Sequence, residues 1–193
     1  PKSGDSILEI GCGWGGFGEF IGKNYDVKLD CITISKKQYE FAKKRIHKNG
    51  LNEKVDIKML DYRDVTKKYN SIASIEMIEA VGQNYLPGYF KKIKDSLHHN
   101  GIAAIQAITI DEKIYKRYKL KTDFIQKYIF PGGFLPSKKE ILKLSDKNGL
   151  NFDKCHSYGL DYSNTLRIWR NDFQKKWDII SKQGFDETFR RMW

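Results

Sequence analysis

The stretch Ser6-Ile7-Leu8-Glu9-Ile10-Gly11-Cys12-Gly13-Trp14-Gly15-Gly16-Phe17-Gly18 constrains this chain most. A short apolar run carrying an acid, followed at once by alternating glycines and a helix-like segment, predicts a strand delivering a tight turn to a helix N-terminus. Glycine is needed there because the turn requires backbone angles that a Cβ forbids, and because a ligand must approach the main chain closely. The element expected is a nucleotide-cofactor cradle. A glycine-rich turn without a ligand would leave unexplained why acid, glycine spacing, strand and helix signals agree.

Strand and helix patterns then alternate. A helix is expected over 17–23 and a strand over 27–33. The next helix is well signalled: Ser35 and Gln38 have capping-box spacing, Ile34 and Tyr39 have staple spacing, and Tyr39, Ala42 and Ile46 share a face before Asn49-Gly50 ends it. Strands are expected over 55–60 and 71–77. A helix over 86–98, closed by Asn100-Gly101, leads into the most apolar stretch, 102–110, read as a buried fifth strand. This alternation predicts an α/β fold, a mostly parallel sheet with helices on both faces. Ligands then sit beyond the carboxyl ends of the strands.

From Asp111 the pattern changes. Residues 111–136 read as an insertion with a helix to Lys127 and a turn-rich apolar loop over 128–136, a candidate lid. Ser137 and Glu140 form a second capping box for a helix ending at Asn148-Gly149, and 151–158 reads as a sixth strand. The rest is helical, with Leu166, Trp169, Phe173, Trp177 and Ile180 at heptad-like spacing as a core or subunit-packing stripe.

A chain of 193 residues suits one well-cored domain, so 1–193 is treated as a single unit. It starts at Pro1, just before the first strand, and stops at Met192-Trp193 in a helical pattern. Both ends are therefore expected to be truncated. Cys12, Cys31 and Cys155 lie far apart without C-x-x-C spacing, which points to no metal site, no disulfide framework and a reducing compartment. No apolar run approaches the about 18 residues of a membrane span. The formal net charge is +11, from 35 Lys+Arg against 24 Asp+Glu, which favours anionic partners such as phospholipid headgroups or nucleic acid. Lysines spread over solvated helix faces account equally well for most of it. The run from Lys113 to Lys121, where cations alternate with aromatic and aliphatic residues, suits an interfacial patch.

The spacing Glu9-x-Gly11-x-Gly13-x-Gly15 is the acid-led form of class I methyltransferases that bind S-adenosylmethionine. With Ile32-Thr33-Ile34-Ser35-Lys36-Lys37-Gln38, Ser74 to Gly82, Gln106-Ala107-Ile108-Thr109 and Tyr128 to Pro136, the chain resembles the cyclopropane-fatty-acyl-phospholipid synthase family along nearly its whole length. The family includes the mycolic acid cyclopropane synthases. The resemblance implies a Rossmann-like class I fold and a cofactor held by Gly11, Gly13, Trp14 and Gly15, by Thr33, Ile34, Ser35 and Gln38, and by Asp61 and Tyr62. It implies methyl transfer to a cis double bond of an unsaturated phospholipid acyl chain, leaving a carbocation that loses a proton. The expected setting is the anionic inner face of the membrane, reached from the cytoplasm, with no nucleic-acid partner and with a homodimer left open.

In the family the base is commonly a bicarbonate ion held by a cysteine, a glutamate, a histidine, a tyrosine and a backbone amide. Glu79, Tyr162 and Ile108 match three of these, and the cysteine position would lie upstream of Pro1. The histidine position carries Gln106, which can hydrogen-bond an anion but cannot take a proton near neutrality. Glu76 adds a second carboxylate that could itself act as the base, or serve as a helix-cap or ion-pair acid. The Glu76-Met77-Ile78-Glu79 and Gln106-Ala107-Ile108 forms look closer to the branch making methylene or methyl-branched acids. Two other classes stay open. Plant alkaloid N-methyltransferases share much of the pattern, and a silent lipid- or nucleic-acid-binding module could retain the cofactor fold.

Overall fold

The computed structural model describes the chain from Pro1 to Trp193. The backbone forms two compact units, Pro1–Lys121 with Gly132–Asn151, and Thr122–Pro131 with Phe152–Trp193. The first unit is built on β1 (Ser6–Ile10), α1 (Gly16–Asn24), β2 (Lys28–Thr33), α2 (Lys36–Lys48), β3 (Val55–Met59), β4 (Tyr69–Ile75), α3 (Leu86–Asp95) and β5 (Leu97–Gln106). All four strand pairings are parallel, and the order is β3-β2-β1-β4-β5. The direction of winding reverses between β1 and β4, so the ligand crevice of such a sheet falls there.

Alternating side chains fill two apolar layers, as a sheet covered on both faces requires. Leu8, Ile10, Ile32 and Ile72 join Tyr89, Phe90 and Ile93 of α3 in one cluster. Ile7, Leu29, Cys31 and Ile57 join Ile21 of α1 and Ala42 and Ile46 of α2 in the other. Asp30 is a structural acid that accepts from the Tyr69 hydroxyl at 2.7 Å and from Lys58 at 2.7 Å.

Helix ends follow the predicted chemistry, with two changes. Ser35 caps α2 by accepting from Gln38 N–H, while the Gln38 side chain turns away and accepts from Thr33 Oγ1 at 2.9 Å. The box is therefore one-sided, because Thr33 outcompetes the Ser35 amide, which itself donates to Thr33 Oγ1. The expected staple does not close: Ile34 is 72% exposed. Ser137 caps α5 (Lys138–Lys147) by accepting from Glu140 N–H at 3.2 Å, and Gly149 leaves that helix with φ 66°.

The fifth strand differs from its expected form. α3 stops at Asp95, and Leu97 already pairs with Tyr69, so Asn100-Gly101 is a bulge inside β5. Asn100 takes φ 63°, and a Cβ on Gly101 would lie 3.1 Å from Asn70 O, which explains both residue types. As the sheet's edge strand, β5 is also less buried than its apolarity suggests. Ile102 is 70% exposed.

Beyond β5, the expected helix to Lys127 is instead a short α4 (Glu112–Tyr118) followed in the second unit by a π-helical turn at Ile125–Ile129. Residues 151–158 form no strand, and every side chain in that run is exposed. An extended segment becomes a strand only with a neighbour to bond, and no pairing in the sheet involves it. The second unit continues with α6 (Gly159–Lys175), α7 (Trp177–Ser181) and α8 (Glu187–Met192). The predicted apolar stripe is broken at Lys176. Leu166 and Trp169 are exposed, while Trp177 is buried, packs on Phe173 and donates its indole N–H to Glu187.

Candidate active site

The glycine turn leaves β1 at the switch point. Gly11, Gly13 and Gly15 have φ of 78, 52 and 79°, in the left-handed region where a Cβ is costly. Gly11 and Cys12 N–H both donate to Ile32 O, at 3.1 and 2.9 Å, which folds the turn against β2. A Cβ on Gly13 would meet nothing within 4 Å, so the main chain there faces open space. Gly15 is closed on its other side, since its Cβ would lie 3.0 Å from Ala42 Cβ. Gly11 lies against Met77, whose Sδ would be 3.0 Å from an added Cβ. That contact joins the turn to the tip of β4.

Under the turn, Glu9 is buried beside Cys31, and Oε2 has no hydrogen-bond partner. Burial lifts its carboxyl to about 7, with the Cys31 thiol pulling modestly the other way. Burial, then the Glu9 charge, push the Cys12 thiol up to about 12. Cys12 is thus a small packing residue rather than a nucleophile.

At the end of β2, Thr33, Ser35 and Gln38 form the polar cluster described above, with Ile34 projecting from it. Trp14 is half exposed and meets Phe41 edge-on at 5.3 Å. Asp61 caps a 3₁₀ turn at Tyr62–Asp64 and takes the Arg63 guanidinium at 3.0 and 2.6 Å, which holds its carboxyl below the usual range. Tyr62 packs edge-on against Tyr89 at 5.6 Å. All these residues lie at the carboxyl ends of β1, β2 and β3, the side that the topology assigns to a ligand.

The tips of β4 and β5 carry the carboxylates. Glu79 lies in a 3₁₀ turn at Ile78–Ala80 and is buried; Oε1 accepts from Ile108 N–H at 2.6 Å, and Oε2 has no partner. Burial raises its pKa, the Ile108 amide opposes this, and the nearby Glu76 charge adds to the rise. Glu76 is exposed, with its amide donating to Gln106 O at 3.0 Å and Oε1 accepting from Gln106 Nε2 at 2.8 Å. Two of the donors that the resemblance assigns to bicarbonate, Gln106 and Ile108, are thus engaged by carboxylates of the protein. An anion bound here would have to displace Glu79 from the Ile108 amide and lie beside the Glu76 carboxylate. Tyr162 stands in the first turns of α6, in the second unit.

Two contributors escaped the sequence reading. Met77 supports Gly11, and Phe134 N–H donates to Glu79 O at 2.9 Å, so the apolar loop clamps the backbone of the buried acid. Gly132-Gly133 before Phe134 was the available signal, since it marks a loop able to approach another main chain closely.

A parallel sheet of this order, with a glycine turn at its switch point, is the Rossmann-like architecture of class I methyltransferases. A structure of mycolic acid cyclopropane synthase CmaA1 complexed with SAH and CTAB matches the fold with a TM-score of 0.89 at 24% identity, covering 99% of this chain and 70% of that one. The family model for mycolic acid cyclopropane synthetase matches residues 2–193, and the chain belongs to that family. It is 38% identical over 193 residues to tuberculostearic acid methyltransferase UfaA1 of Mycobacterium tuberculosis, covering 100% of this chain and 45% of that protein. It is 36% identical over 192 residues to the cyclopropane-fatty-acyl-phospholipid synthase of Escherichia coli, covering 99% of this chain and 47% of that protein. The chain thus spans less than half the length of these curated relatives.

Proposed function

We propose that the protein transfers the methyl group of S-adenosylmethionine to the cis double bond of an unsaturated phospholipid acyl chain, giving a cyclopropane or a methylene- or methyl-branched product. The observation that carries this reading is Glu79: a buried carboxylate with one oxygen fixed by Ile108 N–H and the other unpartnered, two residues from the Met77 that supports the glycine turn. A buried polar atom without a partner costs about 1–3 kcal/mol. Such a cost persists where a bound molecule relieves it.

The open main chain at Gly13 and the polar cluster of Thr33, Ser35 and Gln38 fit a small polar cofactor lying across the switch point. Asp61 and Tyr62 would border its aromatic end, and Trp14 and Ile34 would wall it. When bound, S-adenosylmethionine supplies an electrophilic methyl group on a sulfonium. Glu79 then stabilises the positive charge that develops on the acyl chain, because a cation beside it reverses the effect of burial and favours its ionised form. Tyr162, in α6 of the second unit, is carried as a candidate on the resemblance alone. Incubation of the intact protein with labelled cofactor and vesicles should label cis-monounsaturated phospholipid and leave fully saturated phospholipid unlabelled. Equal labelling of both, or of neither, would count against the reading.

A bilayer substrate calls for a surface that reaches it. No helix of the chain is long and apolar enough to cross a membrane. In the first unit, Lys113, Lys116, Arg117, Lys119 and Lys121 surround Ile114 and Leu120, and Leu120 is 84% exposed. The formal net charge of +11 favours the anionic inner leaflet. The intact protein should bind vesicles rich in anionic phospholipid and lose most of that binding as salt rises toward about 0.5 M, where screening acts within a few ångströms. Binding that ignores salt would contradict an electrostatic attachment. A cytoplasmic location belongs to the same proposal, and a homodimer stays open.

A further inference from the structure

Glu76 has φ 50°, one of only two residues other than glycine in the chain with a positive φ. That region is costly for any residue with a Cβ, and glycine would occupy it without strain. The strained residue stands at the carboxyl tip of β4, beside the switch point, and its carboxylate is held by one specific donor, Gln106 Nε2 at 2.8 Å. Gln106 is the last residue of β5 and the register partner of Ile75, so the amide rises from the neighbouring strand at the same level. The Glu76 amide donates to Gln106 O as well, which closes the pair at both backbone and side chain. Strain of this kind persists where the strained group does something that a relaxed residue could not.

We infer that Glu76 is the proton acceptor of the reaction and that Gln106 is the positioning residue that aims it. The inference rests on the proposed alkene methylation. In that reaction the π electrons form the new carbon–carbon bond, the carbon–sulfur bond breaks toward sulfur, and a carbocation remains on the acyl chain. A C–H bond then breaks, its electrons close the ring or form the new double bond, and the proton passes to a Glu76 carboxylate oxygen. The exposure of Glu76 gives that proton a route to water. Glu79 is less suited to this part, since it is buried and its Oε1 is already fixed by Ile108 N–H. Two carboxylates in unlike surroundings thus divide the work, one stabilising charge and one taking the proton. No external base is needed.

The strain makes the test clean. Glu76→Gly in the intact protein should fold at least as well as wild type, with Tm equal or higher and cofactor affinity by calorimetry unchanged, yet lose about 10²-fold or more in turnover. Formate, a small carboxylate that fits the space vacated by the side chain, should restore part of that turnover in a saturable way and leave wild type unaffected. Gln106→Leu should lower kcat by about tenfold with KM for lipid unchanged, and Gln106→His, which keeps an N–H donor, should retain more. Glu76→Gly with wild-type turnover would overturn the inference, and so would wild-type turnover that depends on added bicarbonate. A wild type that labels no acyl chain removes the underlying methylation reading instead, and the two failures are therefore distinct.

Discussion

Glu79→Gln should lower turnover by about 10³-fold while leaving cofactor affinity nearly unchanged, the scale of losing a group that acts on charge in a transition state. The amide oxygen of glutamine can still accept from Ile108 N–H, and Phe134 N–H still meets the backbone carbonyl of residue 79, so the local fold is kept. What changes is the unpartnered Oε2, which becomes a neutral amide nitrogen unable to balance a cation. The check is a pair of measurements on one preparation: kcat with vesicle substrate, and cofactor binding by calorimetry. A variant within tenfold of wild type would favour an amine-type substrate, which generates no carbocation; retention by Tyr162→Phe as well would strengthen that conclusion.

Glu9→Gln should change the pH dependence of stability rather than catalysis. Burial raises the folded-state carboxyl from its ordinary 4.5 to about 7. A raised pKa means that the folded state holds its proton more tightly than the unfolded state. The corresponding stability is fully present below 4.5 and is lost as pH rises to about 7, after which it stays lost. A shift of this size corresponds to ~3 kcal/mol. Glutamine carries no charge to bury, so the variant should gain on wild type by ~2–3 kcal/mol between pH 5 and pH 8. Any cost of the unpaired amide is independent of pH and cancels from that difference. Thermal unfolding followed across this range would show diverging curves; parallel curves would mean that Glu9 is not the buried acid described.

The parts legible in the sequence are those fixed locally. Gly11, Gly13 and Gly15 announce their backbone angles by having no Cβ, and Ser35, Asn49-Gly50, Ser137 and Asn148-Gly149 mark helix ends through short-range hydrogen bonds. These came through within a residue or two. What depended on distant partners did not. The apolarity of β5 gives no sign that it lies at the sheet edge, and Asn100-Gly101 looks the same in a helix C-cap as in the bulge it forms against Asn70. Residues 151–158 have strand-like composition but no neighbour in the sheet.

The site shows the same division. The glutamates and Gln106 were identifiable by type and place, but their pairing depends on how β4 and β5 align. Ile108 N–H serves Glu79 and Gln106 Nε2 serves Glu76, neither of which adjacent residues could reveal. Asp61 caps the turn at Tyr62–Asp64 by accepting from Arg63 N–H, a local role that its place after β3 does not reveal. The polar cluster at Thr33 organises the turn from β2 into α2, since its hydroxyl donates to Gln38 and accepts from the Ser35 amide.

The most direct test of the central claim supplies the intact protein with S-adenosylmethionine bearing a trideuterated methyl group and with vesicles of cis-monounsaturated phospholipid. Mass spectrometry and proton NMR of the released acyl chains then locate the label. Methyl transfer followed by proton loss predicts the label bonded to acyl carbon with one deuteron missing, as ring or vinylidene carbon. Label confined to nitrogen or oxygen with every deuteron retained, or no labelled lipid despite cofactor binding, would contradict it.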